Sequence, residues 1–281
     1  MNEAELLFTD ILNYDRHRLY TDKNILLDKG KRQLISQALR RRINGEPIQY
    51  IIGKAQFLGL EFKVNKDVLI PRPETEILVE TAIKLGQGSR VVGDRLKILD
   101  IGTGCGCIAI SLAKFLSNAE IYAIDVSIKS LKIAEENTKL NNVNIKFMQG
   151  DLFNTYNLQP TTYNLIVSNP PYIPTAEINK LQPEIRYEPR IALDGGEDGL
   201  DFYRRLIQKS PPYLKPAGFL ILEIGDKQKE AIEKIFQKDD IFEIIDIVQD
   251  YNNIDRVIVA RHPTLKDGSV SAYCGRKNQD G

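Results

Sequence analysis

The sequence predicts an α/β fold: a doubly wound, mostly parallel sheet with a small helical domain ahead of it. Three observations carry this. From residue 96 to residue 260, short apolar runs alternate with segments of helical periodicity, the order that a parallel sheet with right-handed crossovers requires. One apolar run leads straight into the glycine-rich loop Gly102-Thr103-Gly104-Cys105-Gly106 and then a helix. Another, 163–168, stops at Asn169-Pro170-Pro171-Tyr172, because a strand cannot continue through two prolines.

Residues 3–20 place Leu6, Leu7, Ile11, Leu12 and Leu19 close to helical spacing. A second helix is expected over 31–43, with Leu34, Ile35, Ala38, Leu39 and Ile43 on one stripe; it stops at Asn44-Gly45, with Pro47 just beyond. Residues 56–64 read as two short strands about Gly59. Pro71 and Pro73, with Glu74 and Glu76 behind them, start a helix with acids favourably placed in its first turn. That leaves Arg72 unexplained, clamped between prolines and able to meet a carboxylate. Residues 87–94 read as a linker.

The sheet then takes strands over 96–101, 121–124, 145–148, 163–168, 218–224, 242–248 and 256–260, with helices over 108–116, 131–140, 201–214 and 227–236. Residues 173–199 form a long loop, the kind that serves as a lid or substrate wall. A polar tail covers 263–281. The division that follows is 1–70, helices plus hairpin; 71–262, the sheet domain; 263–281, the tail.

Composition narrows the class. The chain has 281 residues, 42% hydrophobic and 27% charged, ordinary globular values. Lysine plus arginine (38) equals aspartate plus glutamate (38), which argues against a protein that grips long duplex nucleic acid by its phosphates. Arg40-Arg41-Arg42 read as a solvated helix face. Met1-Asn2-Glu3 and its neighbours lack the features of a secretory signal, and no apolar run nears the ~20 residues a bilayer needs. Three cysteines make no disulfide framework, so a cytoplasmic chain without membrane association is expected. His17 has no ligand-type neighbours, and Cys105-x-Cys107 alone is weak evidence for a metal; no metal site is expected.

Strand, glycine loop and helix together make a nucleotide-type site, since glycines let a ligand approach the backbone beside a helix N-terminus. Asp125 ends the next strand, 21 residues after Gly104, the spacing at which a carboxylate takes ribose hydroxyls. A dinucleotide fingerprint wants glycine or alanine where this chain has Cys107, so the pyrophosphate reading weakens. Asp151, just after the third strand, can accept from an adenine amino group or simply form a Gly150-Asp151 turn. At Asn169-Pro170-Pro171-Tyr172, the Asn169 side-chain oxygen and a prolyl carbonyl are converging acceptors, and neither proline offers an N–H. Two acceptors suit the hydrogens of a planar –NH2 group, with Tyr172 packed on its face. An exocyclic base amine and a glutamine amide both fit.

These motifs, in this order, resemble those of class I S-adenosylmethionine-dependent methyltransferases that modify planar amino groups. The stretches 45–53 (GEPIQYIIG), 69–76 (LIPRPETE) and 193–203 (LDGGEDGLDFY) narrow the resemblance to the N5-glutamine methyltransferases of peptide chain release factors. The resemblance implies a seven-stranded methyltransferase sheet, S-adenosyl-L-methionine as cofactor, and the glutamine of a release factor's Gly-Gly-Gln motif as substrate. It also implies that Gly102, Thr103, Gly104, Cys105 and Gly106 line the methionine and ribose part of the cofactor. Asp125 then binds the ribose, and Asp151 and Leu152 lie at the adenine. Leu152 departs from relatives that carry an aromatic there. Asn169, Pro170, Pro171 and Tyr172 receive the substrate, Asn169, Pro170 and Tyr172 as the catalytic residues, and Asn169 also touches the cofactor. Two other readings share the tetrapeptide: an adenine-N6 methyltransferase acting on a flipped base, and a glutamine methyltransferase of a ribosomal protein. Net charge of zero and the absence of a large target-reading domain weigh against the first, and no stable nucleic-acid binding is expected.

Overall fold

The computed structural model describes residues 2–22, 25–88, 95–156, 158–160 and 162–263. The predicted linker over 87–94 and tail over 263–281 fall almost wholly outside the described residues.

Four helices come first: α1 (Glu3–Leu12), α2 (Arg16–Thr21), α3 (Lys29–Ile43) and α4 (Ile48–Ile52). Asn2 and Glu5 close a reciprocal capping box on α1. The single helix expected over 3–20 is two. Asn13 turns left-handed (φ 53°) and ends α1, and Asp15 caps α2 by accepting from the Arg18 backbone N–H. Leu7, Ala38 and Ile48 form a small core with Ile11, Ile51 and Ile52.

The hairpin β1 (Lys54–Phe57) and β2 (Leu60–Lys63) pairs Phe57 with Leu60. Its two turn residues, Leu58 (φ 48°) and Gly59 (φ 73°), are both left-handed, which matches the twist of a two-residue hairpin. Phe57, Phe62, Val64, Val68 and Ile70 join the core of the large sheet, and Tyr50 of α4 joins it with them.

After α5 (Pro73–Gly88) come β3 (Leu96–Ile101), α6 (Cys107–Phe115), β4 (Ala119–Asp125), α7 (Ile128–Asn141), β5 (Lys146–Gln149) and β6 (Tyr163–Ser168). Then follow α8 (Asp201–Lys209), β7 (Leu214–Glu223), α9 (Lys229–Asp239), β8 (Glu243–Gln249) and β9 (Asp255–Arg261). The seven-stranded sheet runs β5-β4-β3-β6-β7-β9-β8, parallel except for β9, which is antiparallel to both neighbours. Ile98, Leu165 and Val167 face one core and Leu99, Ile101 and Ile166 the other, so both faces are buried. Strand order reverses between β3 and β6, and a crevice opens at their carboxyl ends.

Residues 173–199 carry three short 3-10 turns and reach the first helices. Arg42 bridges Glu3 and Glu184, and the Tyr187 hydroxyl donates to the Asn44 carbonyl at 2.9 Å. No helix among the described residues is long and apolar enough to cross a membrane.

Candidate active site

The glycine loop turns on three left-handed residues, Gly102 (φ 76°), Gly104 (φ 57°) and Gly106 (φ 85°). A Cβ at Gly102 or Gly104 would meet nothing within 4 Å, so those two backbones face open space. At Gly106 it would press on Ile110 (3.0 Å) and Ala134 (3.2 Å); this glycine serves packing against α7. The buried Asp125 carboxylate accepts from the Gly104 and Ser127 backbone N–H groups, each at 2.8 Å. Burial pushes its pKa up, and those backbone donors pull the other way.

A cavity of about 380 Å³ lies over this loop. Asp67, Val68 and Leu69 close it on the hairpin side, Leu152 and Ile101 supply apolar wall, and Asn169 and Pro171 stand opposite. An acidic acceptor, exposed glycine backbone and apolar walls fit an adenosyl group: diol to Asp125, base between aliphatic side chains.

The hairpin side is stapled by Asn137 of α7, which is fully buried. Its Nδ2 donates to the carbonyls of Lys63 (3.0 Å) and Cys105 (2.8 Å), and its Oδ1 accepts from the Lys63 N–H (2.7 Å). Ser130 adds a bond from its hydroxyl to the Asp67 carbonyl at 3.0 Å.

Strand β6 delivers Asn169. Its Nδ2 donates to the hydroxyl of Thr75, in the first turn of α5, at 3.0 Å, and its Oδ1 accepts no hydrogen bond among the described residues. The motif after it is cast in glycine. A Cβ on Gly199 would lie 2.4 Å from the Tyr172 carbonyl oxygen, and one on Gly195 would lie 2.8 Å from Tyr172 Cα. Gln228 Nε2 donates to the Tyr172 carbonyl at 2.9 Å, and Ile173 exchanges bonds with Leu193 (2.9 Å) and Gly195 (2.8 Å). Burial, with the Glu223 carboxyl nearby, raises the Tyr172 phenol to about 12.

Of the residues singled out in the sequence, the cavity wall gathers Gly102, Gly104, Asp125, Asp151, Leu152, Asn169 and Pro171. Thr103, Cys105 and Gly106 stand behind it instead. Thr103 donates its hydroxyl to Asp100 at 2.7 Å, Cys105 is core, and Gly106 packs on α7, so these three anchor the loop from behind. Pro170 is buried and Tyr172 partly so. Asp151 is ion-paired with Arg205, which the sequence did not point to. Arg72 does meet a carboxylate: Glu188, 2.6 Å away and nearly inaccessible. His17 is exposed on α2. Thr75, Asn137, Glu188 and Glu223 were missed; Glu223, an acid ending an apolar strand just as Asp125 does, was the one with a visible signal.

The chain matches the Methyltransferase small domain family over residues 75–184 and the PrmC N-terminal domain family over residues 1–53. It is 42% identical over 261 residues to the release factor glutamine methyltransferase of Thermodesulfovibrio yellowstonii, covering 92% of this chain and 91% of that one. With the release factor glutamine methyltransferase of Geobacter sulfurreducens it shares 41% identity over 260 residues, 92% of this chain and 88% of the other. Its fold is that of the crystal structure of a methyltransferase from Pyrococcus furiosus, at a TM-score of 0.55 and 21% identity, covering 81% of this chain and 99% of that one.

Proposed function

Because the chain belongs to the release factor glutamine methyltransferase family, we propose that it methylates the side-chain amide nitrogen (N5) of the Gly-Gly-Gln glutamine in peptide chain release factors, using S-adenosyl-L-methionine. The cofactor, when bound, supplies an electrophilic methyl group on a sulfonium. Asp125 holds its ribose, Gly102 and Gly104 let it approach the backbone, and Asp67, Val68 and Leu69 exclude water above it. Leu152 packs the base, with Asp151 at its edge. Helices α1 to α4 dock the release factor, whose place in translation puts the reaction in the cytoplasm.

An amide nitrogen is a weak nucleophile because its lone pair is delocalised into the carbonyl. The chain compensates by orientation. Asn169 Oδ1 accepts one amide hydrogen and the Pro170 carbonyl the other, while Tyr172 packs on the flat face. Alignment of this kind supplies several kcal/mol. Both acceptors strengthen their bonds as the nitrogen turns positive in the transition state, which is differential binding. The proton leaves after transfer, and no general base is assigned.

One observation carries the reading: the Asn169–Thr75 bond that commits Nδ2 to the protein and leaves Oδ1 for the substrate. The test is mass spectrometry of a purified release factor incubated with the protein and S-adenosylmethionine. A single methyl on the Gly-Gly-Gln glutamine is expected, and none with Asn169→Ala despite retained cofactor binding. Methylation by that variant at the wild-type rate would overturn the role of Asn169.

A further inference from the structure

Behind Asn169 lies a second buried acid that the reaction above does not touch. Glu223 ends β7, the strand beside β6, is 2% exposed, and has no hydrogen-bond partner for its Oε2 among the described residues. Its carboxyl faces the Thr75 hydroxyl, the same hydroxyl that lies 3.0 Å from Asn169 Nδ2. Thr75 is itself 2% exposed, so no bulk water competes for these bonds.

The donor count decides the orientation. A threonine hydroxyl has one proton to give, and a carboxylate can only accept. With Glu223 ionised, Thr75 donates to it and is left able only to accept from Asn169. The amide must then turn –NH2 inward and Oδ1 outward. With Glu223 protonated, the Thr75 proton is released to an Asn169 oxygen in the flipped amide. The substrate –NH2 would then meet Nδ2, donor against donor.

We propose that Glu223, acting through Thr75, is the positioning residue that selects which atom of Asn169 faces the substrate amide, and that its ionised form is the competent one. This rests on the acceptor role given to Asn169 above. The other groups facing Glu223 are Glu74 of α5, Arg72 just ahead of that helix, Arg256 of β9, and the phenols of Tyr172 and Tyr203. Tyr203 spends its proton on the Glu223 main-chain carbonyl at 3.0 Å, not on the carboxyl. Burial outweighs the two arginines and raises the carboxyl to about 7, so its charge changes within the working range. Aligned hydrogen bonds from a carboxylate also polarise the chain and make Oδ1 a stronger acceptor.

The experiment is kcat against pH for the full-length protein with S-adenosylmethionine and a purified release factor. Wild type, Glu223→Gln, Thr75→Val, Thr75→Ser and Asn169→Ala are compared. Wild-type kcat should fall about tenfold per pH unit below about 7. Glu223→Gln and Thr75→Val should lower kcat about 10- to 100-fold, the usual cost of a lost orienting partner, and flatten the acid limb. Cofactor affinity should hold in both variants, and Thr75→Ser should keep rate and limb. If both variants stay within about threefold of wild type with the limb intact while Asn169→Ala collapses, the positioning role falls and the Asn169 reading stands. An active Asn169→Ala takes down both. The wild-type profile decides even if a variant fails to fold: no acid limb near neutrality overturns the proposal.

Discussion

Replacing Asn137 with alanine tests how the cofactor cavity is held closed. The substitution strips three hydrogen bonds from a fully buried side chain, at 2.7, 3.0 and 2.8 Å. The three partners pay unequally. The Cys105 carbonyl lies in the core, where an unpaired acceptor costs about 1–3 kcal/mol. The Lys63 N–H and carbonyl face α7 and are only part-buried, so the two bonds lost there cost about 0.5–1.5 kcal/mol each. The sum is about 2–6 kcal/mol, a large part of a typical domain's stability. Urea unfolding monitored by circular dichroism reads it directly, and cofactor affinity should weaken as the hairpin loosens over Asp67 and Val68. Asn137→Asp should be worse than alanine, since a carboxylate oxygen would face two carbonyls. A loss below about 0.5 kcal/mol for Asn137→Ala would refute this account of the clamp.

Asp125→Ala should weaken S-adenosylmethionine binding in calorimetric titration while the fold persists; unchanged affinity would remove the ribose assignment. Gly199→Ala forces a Cβ to 2.4 Å from the Tyr172 carbonyl at a left-handed φ of 77°, and should cost about 1–3 kcal/mol together with most turnover. Wild-type activity there would mean the Tyr172 mould is not needed. Arg72→Ala strands the buried Glu188 and should cost about 3 kcal/mol near neutral pH. Burial already raises the Glu188 pKa, so the folded form takes up its proton more readily than the unfolded chain. Stability from that proton is present at acidic pH and lost as pH rises, and the gap between wild type and variant should therefore narrow on acidification. A gap constant with pH would show that charge at Glu188 is not the cause.

Much of the site could be read from local sequence because its chemistry is local. Glycine loops, strand-ending acids and paired prolines announce themselves within five residues, and the strand over 96–101 was placed to the residue. What escaped was long-range. Asn137 looks like any polar residue on a helix until the fold brings Lys63 and Cys105 to it, 74 and 32 residues away. Thr75 and Asn169 are 94 residues apart. Within the glycine loop, spacing showed that a ligand could approach but not which residues turn toward it; that depends on how Asp100, Ala134 and Ile110 fill the space behind. Helix ends moved for a different reason. The helix expected over 201–214 stops at Lys209, because Pro211 and Pro212 cannot continue it and the chain enters a 3-10 turn before β7.

The segment over 173–199 is tied down along its length, Glu188 to Arg72 among the ties. At one end Ile173 is bonded to Leu193 and Gly195; further along, Glu184 and Tyr187 are bonded to Arg42 and Asn44 on the first helices. One segment thus ties the first helices to the turn that carries Tyr172.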